Sequence, residues 1–537
     1  MPGLPRLAGQ VLVEQLLALG ADTVFCAPGE SSPGVLDGLF GHRTSLRVVT
    51  SRQEGGTAMM AAAYGQLTGR PGIALVTRGP GASSAAVGVH LAEQDAIPLL
   101  LFIGQVPLRS LDRRSFQEID YRRMFNGTAK EVLEIRAPHR LPEYVARAWR
   151  TAVAGEPGPV VVVLPEDMLR RETAAPVVPP TPRFAALPGP EAVPAVVEAL
   201  ASAERPLVVV GGVGWAGEGV ARLDELVAAE ELPFATAFRR QDLIDNTAPA
   251  YVGGFGPLST AGLAESARQA DVVLLLGTRP DEQTAARWLD EAVPTARVLH
   301  VHPDPGVIGK LLPVEVAVVA EPEAFVRAWL EAYPQGIPAG HPDWTVWRTG
   351  LRANYERVRA GTDGPATAYM QVLNRLLPAD AVLSVGAGAY TAWAQRHHDY
   401  TRYGSCLGSA SGARGYGLPS AITAKLLHPH REVVALAGDG CFLTTGQELA
   451  TAVQEKLAVT VLVINDHADG VVRDHRQRDI PDRPVATTPH TPDFAAVARA
   501  YGAHGVSVST PADLRTVWLG RPGDRPSLIE IRIPSGA

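Results

Sequence analysis

A chain of 537 residues is too long for one hydrophobic core and predicts about three domains. Its hydrophobic content of 46% and charged content of 20% are those of a globular protein. The net charge of −7 with no long basic run excludes nucleic acid as an expected partner, and no apolar run approaches the roughly 18 residues of a membrane span.

The N-terminal stretch MPGLPRLAGQ has no signal-peptide core. Cys26, Cys406 and Cys441 form no Cys-x-x-Cys pair, which fits free thiols in a reducing compartment. A soluble, cytoplasmic protein is expected. In the first segment, Val24-Phe25 leads into Pro28-Gly29-Glu30. Leu46 to Thr50 (LRVVT) reads as a strand, and Thr57 to Leu67 (TAMMAAAYGQL) reads as a helix. Glu54 falls between them, where a carboxylate complements a helix N-terminus. Another strand, GIALV, precedes Thr77-Arg-Gly-Pro-Gly-Ala-Ser83, a strand-to-helix turn. His90 falls on the helix that follows, and IPLLLFIG is a buried strand by its length. A lone His at such a place is more often a packed residue than a proton shuttle.

Pro-rich stretches from Ala175 to Pro190 and from Tyr333 to Pro342 read as interdomain linkers. Each of the three segments alternates β-branched runs with helical patterns. The fold class is therefore α/β, with three doubly wound domains of mainly parallel sheet over residues 1–175, 190–335 and 360–537. In the middle segment Gly212-Val-Gly-Trp-Ala-Gly217 follows PLVVV and fits Gly-x-Gly-x-x-Gly. A dinucleotide site would also need an acid some 20 residues on, and Glu230 and Glu231 are near that place with nothing to fix either in the role.

The third segment holds the most informative feature. Val433 to Ala437 (VVALA) is of strand type and is broken by Gly438-Asp439-Gly440. Leu449, Ala452, Val453 and Leu457 then repeat at helical spacing, and Val459 to Ile464 (VTVLVI) leads to Asn465-Asp466. Asp439 and Asp466 thus fall just past two strands joined by a right-handed crossover, the edge where open α/β sheets bind ligands. Two hard oxygen ligands among glycines suit Mg²⁺ shared with a diphosphate. The glycines permit close backbone approach, and the helix after Gly440 aims free N–H groups at the same place. The alternative is a strand-end Asp capping a helix, with Asp466 in a solvated turn.

The stretch GDGCFLTTGQELATAVQEKLAVTVLVIND resembles the signature of thiamine-diphosphate (ThDP) enzymes in their acetolactate-synthase-like branch, and the resemblance covers essentially the whole chain. It implies pyrimidine-binding, middle and diphosphate-binding domains in that order. It implies that Asp439, Asp466 and the backbone carbonyl of Ala468 hold Mg²⁺, with Asp466 standing where Asn is more usual. RQEGGTAMMAAAYGQLTGRPG resembles the family's glutamate motif, so Glu54 would hydrogen-bond a ring nitrogen of the aminopyrimidine and drive activation of the cofactor. For that it must hold or share a proton near neutral pH, which burial favours. Phe116-Gln117-Glu118, after GQVP, resembles a triplet whose Phe and Gln line the substrate side. His90 is a further catalytic candidate.

By the same resemblance Pro28, Gly29, Gly79 and Gly81 meet the cofactor from the first domain. Ala387, Gly388, Ala389 and Tyr390 (in GAGAYTAW), Ala413 and Arg414 (in SGARGYGLP), and Gly438, Gly440, Cys441 and Asp469 meet it from the third. Arg414 departs from the pattern: a Met, Leu or Ile normally stands there, under the bent cofactor. A cation beside a cationic thiazolium is repelled, so Arg414 is expected to turn to a substrate carboxylate or to an acid. His467, Asp469, Arg473 and His475 crowd the loop after the metal ligands, as site residues or as a surface charge cluster. Some relatives bind FAD in the middle domain, through positions matching Arg239, Gly253-Gly254 and Gly277 to Asp281; the poor match to their Gly-Arg-Phe pattern argues against it here.

The implied activity is decarboxylation of a 2-oxo acid such as pyruvate and ligation of the remaining fragment to a second carbonyl compound. Simple decarboxylation or C–C bond cleavage is the alternative within the family. A non-catalytic binding paralogue and a dinucleotide-dependent oxidoreductase are the alternatives outside it. In this family Glu54 and the Asp439 clamp come from different subunits, so a homodimer or a dimer of dimers is expected.

Overall fold

The computed structural model describes residues 4–182, 184–212, 214–256, 261–280, 296–360, 364–466 and 490–533. A short antiparallel ribbon of β1 (Arg6–Leu7) and β8 (Glu172–Thr173) ties the start of the first domain to its end. Between them β2 (Thr23–Ala27), β3 (Arg47–Thr50), β4 (Gly72–Val76), β5 (Leu99–Gln105), β6 (Glu131–Glu134) and β7 (Pro159–Pro165) form a parallel sheet in the order β3-β2-β4-β5-β7-β6. The central strands are continuous apolar runs such as PVVVVLP, buried along their whole length, as strands covered by helices on both faces must be.

The third domain repeats this order. Strands β15 (Val382–Val385), β16 (Cys406–Gly408), β17 (Val433–Gly438), β18 (Thr460–Asn465), β19 (His504–Val508) and β20 (Ser527–Arg532) lie as β16-β15-β17-β18-β20-β19, all parallel. Numbered within each domain, both sheets read 2-1-3-4-6-5. Their strand order therefore reverses between the first and third strands, β2/β4 in one and β15/β17 in the other. The carboxyl end of such a switch point is where α/β sheets open a ligand crevice.

The middle domain is wound differently. Strands β9 (Pro206–Val210), β10 (Phe234–Thr236), β11 (Tyr251–Gly254), β12 (Val272–Leu276), β13 (Arg297–His302) and β14 (Val316–Val319) lie as β11-β10-β9-β12-β13-β14, the dinucleotide-fold order 3-2-1-4-5-6. Helix Thr345–Ala360, past the second Pro-rich stretch, packs on this sheet: Trp344 and Trp347 donate their indole N–H to the carbonyls of Ala203 and Pro206. So the segment left between domains by the sequence reading belongs to the middle core.

The first and third domains share one continuous core. Helix Glu54–Thr68, with eleven buried residues, lies against helix Gly417–Leu427, and their side chains join a single apolar cluster. The small residues of TAMMAAAYG permit that approach. Thr423 hydroxyl donates to the Met60 carbonyl across it at 3.0 Å. Where all three domains meet, Asp95 accepts from the Ser411 N–H at 3.0 Å. Burial pushes the Asp95 carboxyl up to about 6, against the opposing pull of Arg240 and Ser409. The unfolded carboxyl titrates near 3.9, so between about pH 4 and 6 the folded chain binds a proton that the unfolded chain has released, and this group weakens folding as pH rises through that window. Asp95→Asn keeps the acceptor for Ser411, and urea midpoints measured from pH 4 to 6 are expected to lose that decline.

Among the described residues no helix is long and apolar enough to cross a membrane. All three cysteines are buried free thiols.

Candidate active site

At the first switch point, the loops after β2 and β4 touch. A Cβ on Gly29 would fall 2.4 Å from the Thr77 side chain, so only glycine fits beside Pro28. Gly79 has a φ of +39, and a Cβ there would lie 2.7 Å from the Gln117 carbonyl oxygen. A Cβ on Gly81 would lie 3.2 Å from Glu54 Oε1. The structure thus brings together Pro28, Gly29, Gly79, Gly81, Gln117 and Glu54. Phe116 is 73% exposed, projecting outward from the same loop as Gln117. His90 stands apart: it is exposed, and lies about 15 Å along helix Pro80–Gln94 from the end that carries Gly81.

Glu54 is half-buried and opens its helix, whose first free N–H groups have two partners. Gln53 caps the Gly56 N–H with its side chain at 3.0 Å. Glu448, a fully buried carboxylate of the third domain, accepts the Arg52 and Gln53 N–H groups at 3.1 and 3.0 Å and the Thr451 hydroxyl at 2.7 Å. Burial raises its pKa and these bonds hold it down. A Cβ on Gly56 would fall 2.5 Å from Glu448 Oε1, which explains the second glycine of Glu-Gly-Gly. Sequence reasoning did not single out Glu448; its one local signal is an acid inside the apolar pattern that follows Gly-Asp-Gly. Glu448→Ala would remove a charged acceptor from two part-buried N–H groups and the Thr451 hydroxyl, and is expected to cost roughly 1.5–3 kcal/mol, read as a lower urea midpoint.

At the second switch point, Gly386 to Tyr390 follow β15 and Gly438 to Cys441 follow β17. Tyr390 packs its ring over Gly438 and Gly388, and its hydroxyl donates to Cys441 Sγ at 3.1 Å. Burial and Cys441 push the Tyr390 phenol well above its ordinary value, which keeps it a donor. The Gly415 N–H also donates to Cys441 Sγ at 3.1 Å, so the thiol holds three loops in place. Ala387 to Tyr390, Ala413 to Gly415 and Gly438 to Cys441 therefore form one cradle. Arg414 is exposed and lies over its floor: a Cβ on Gly440 would meet Arg414 Nη2 at 3.0 Å.

Asp439 opens a helix that bends through a 3₁₀ turn before Leu449. It is buried, and its Oδ1 accepts the Gly440 N–H at 2.6 Å. Gly438 pairs with Ile464 across β17 and β18, so Asp439 and Asp466 leave neighbouring strands one and two residues past that rung. Asn465 turns inward and donates to Glu530 Oε1 at 2.8 Å. The next residue, Asp466, is half-buried at the sheet edge. Two carboxylates there, beside a Gly438 that the Tyr390 ring keeps free of a side chain, form a donor set that fits a hard divalent cation and a diphosphate. Ala468, Asp469, His467, Arg473 and His475 lie outside the described residues. Among the described residues no cluster of three His, Cys, Asp or Glu side chains could hold a metal.

In the middle domain the glycine turn after β9 starts against the neighbouring strand end. Gly212, at a φ of +72, would place a Cβ 1.6 Å from the Gly277 carbonyl oxygen, so its glycine serves backbone packing. Glu230 accepts from Trp329 Nε1 at 3.0 Å and from the Ile337 N–H at 3.1 Å, which engages it in the core, while Glu231 is exposed. Arg239 is buried over the Phe238 ring and reaches the Gly386 carbonyl oxygen at 3.5 Å. The space left beside Arg239, Thr278 and Arg279 is about 50 Å³. That holds a water or two, and Asp281 lies outside the described residues. A larger cavity of about 530 Å³ opens along the same turn, lined by Gly212, Gly214 and Gly217 with Gln66, Arg240 and Tyr403.

Two sheets of one strand order, each with a glycine-lined switch point, define an enzyme class that holds a diphosphate cofactor between paired domains. Comparison with known proteins makes this specific. Residues 6–124 match the thiamine pyrophosphate enzyme N-terminal TPP binding domain, residues 193–329 the central domain, and residues 386–531 the C-terminal TPP binding domain. Acetolactate synthase of Mycobacterium bovis is 30% identical over 532 residues, covering 95% of this chain and 85% of that protein. The acetolactate synthase isozyme 2 large subunit of Escherichia coli is 30% identical over 505 residues, covering 93% and 90%. The acetolactate synthase large subunit of Corynebacterium glutamicum is 29% identical over 557 residues, covering 99% and 88%. The chain belongs to the thiamine-diphosphate-dependent enzymes, in their acetolactate-synthase-like branch.

Proposed function

We propose that this enzyme uses ThDP held through Mg²⁺ by Asp439 and Asp466 to decarboxylate a 2-oxo acid, pyruvate first among candidates, and to ligate the remaining fragment to a second carbonyl compound. Bound ThDP would supply the electron sink that makes loss of carbon dioxide feasible. The chain's own residues do the rest. Gly438 and Gly440 admit the diphosphate to the backbone. Glu54 holds or shares a proton at the ring nitrogen of the aminopyrimidine. Gln117 would line the substrate side, and Phe116, exposed on the single chain, would exclude water there only once the partner subunit covers it. The Ala468 carbonyl would complete the metal's protein ligands.

What supports this reading is that one chain carries Glu54 at one switch point and Asp439 and Asp466 at the other. Self-association belongs to it, Glu54 working with Asp439 of the partner subunit. Exposed Val87, Phe116 and Leu443, on elements that border the two crevices, support such a covered face. The test is product analysis with pyruvate, alone and with a second 2-oxo acid, in the presence of ThDP and Mg²⁺. Acetolactate-type products are expected. Acetaldehyde alone would establish the decarboxylase alternative, and no turnover of any 2-oxo acid by cofactor-loaded protein the binding paralogue.

A further inference from the structure

Arg78 lies between Thr77 and Gly79, at the first switch point. Its side chain is 10% exposed. Three loops take its three nitrogens. Nε donates to Gln117 Oε1 at 3.2 Å, Nη1 to Glu166 Oε2 at 3.0 Å and Nη2 to Glu30 Oε2 at 3.2 Å. Glu30, Gln117 and Glu166 follow β2, β5 and β7, while Arg78 follows β4. One guanidinium therefore fastens four strand ends along the carboxyl edge of the sheet. A planar fork with five donors can do this; the single ammonium of Lys cannot.

The contact with Gln117 has a chemical consequence. Oxygen and nitrogen of a side-chain amide are alike in shape, and only hydrogen-bond partners tell them apart. A guanidinium has donors and no acceptor. The amide atom facing Arg78 must be the oxygen, so the NH₂ group is turned the other way. The backbone of Gln117 is pinned as well. Its φ of +65 is unusual for a residue with a side chain, and its carbonyl lies against Gly79, two residues before the glycine that touches Glu54.

We propose that Arg78 is a positioning residue that locks the Gln117 amide with its NH₂ group toward the reacting centre, so that the site offers a donor to a carboxylate oxygen of the incoming 2-oxo acid. This rests on the ThDP-dependent reading of the site. The reversed amide would set one oxygen against another and repel the substrate. Glu30 and Glu166 balance the buried cation and keep Arg78 from binding the substrate carboxylate itself.

The test is a double-mutant cycle read in KM, with ThDP affinity measured by calorimetry on each variant. Gln117→Glu keeps an oxygen for Arg78 and removes the donor. It is expected to raise KM for the 2-oxo acid about tenfold or more, with kcat changed less and ThDP affinity and thermal midpoint preserved. Arg78→Lys frees the amide to turn and is expected to raise KM several-fold in the wild-type background but not in the Gln117→Glu background. An unchanged KM in Gln117→Glu, or an Arg78→Lys effect of equal size in both backgrounds, overturns the proposal while ThDP uptake stays normal. Failure of the underlying reading shows differently, as wild-type protein that takes up no ThDP.

Discussion

Glu54→Gln is expected to leave ThDP bound and to slow turnover by roughly 10²–10⁴-fold, the usual contribution of a positioned acid–base group. The Gln side chain fits the same space at the helix start and can still accept a hydrogen bond. It cannot hold the ionisable proton that the aminopyrimidine ring requires. Its caps are elsewhere: Gln53 serves the Gly56 N–H, and Glu448 serves Arg52 and Gln53, so the helix start keeps its hydrogen bonds in the variant. The loss should therefore appear in kcat, with calorimetric affinity for ThDP within a few-fold of wild type. A variant that turns over at the wild-type rate would remove Glu54 from the chemistry and leave it a helix-start carboxylate.

Asp439→Ala is expected to fail one step earlier. Removing one partner of a buried, charge-paired contact costs roughly 2–5 kcal/mol, which is about 30-fold to several thousand-fold in affinity. Asp439 is buried where β17 gives way to its helix, between two glycines that carry no side chain to replace its carboxylate. Mg²⁺-dependent ThDP uptake should fall by that factor, and activity should return only at ThDP and Mg²⁺ concentrations raised to match. The two variants thus separate cofactor activation from cofactor retention, and each is a control for the other. If Asp439→Ala bound ThDP as tightly as wild type, the strand-end carboxylate would be a helix cap and no more.

Much of the architecture was legible because it is written locally. GIALV and PLVVV are the whole of β4 and β9, and the small-residue run after Glu54 is one unbroken helix. Buried parallel strands must be continuous apolar runs, and the glycines that end them mark where loops turn at the sheet edge. Other features were hidden because their causes lie far along the chain. Arg78 finds its partners 39, 48 and 88 residues away, at strand ends that only the 2-1-3-4-6-5 winding makes neighbours. Glu448 caps backbone groups 395 and 396 residues distant, across a domain interface. Glycine patterns were ambiguous in sequence and distinct in structure. Gly-Asp-Gly leaves its strand end to a buried carboxylate, whereas the Gly212 turn is pressed against Gly277, and Glu230 is spent on Trp329 and Ile337. A fingerprint of glycines records that backbone comes close to something, and the fold decides whether that is a ligand or another strand.

Arg414 keeps its interest in this setting. It overlies Gly440, on the cradle that Tyr390 and Cys441 hold in place. Arg78, by contrast, is held by Glu30 and Glu166 at the first switch point.

The most direct measurement is a calorimetric titration of the wild-type chain with ThDP, in Mg²⁺ and again in excess chelator. Saturable uptake near one equivalent per chain, abolished by the chelator and weakened by Asp439→Ala, is the predicted result. Uptake indifferent to both the chelator and Asp439→Ala, or no uptake at saturating Mg²⁺, would contradict the assignment of Asp439 and Asp466 as the metal clamp.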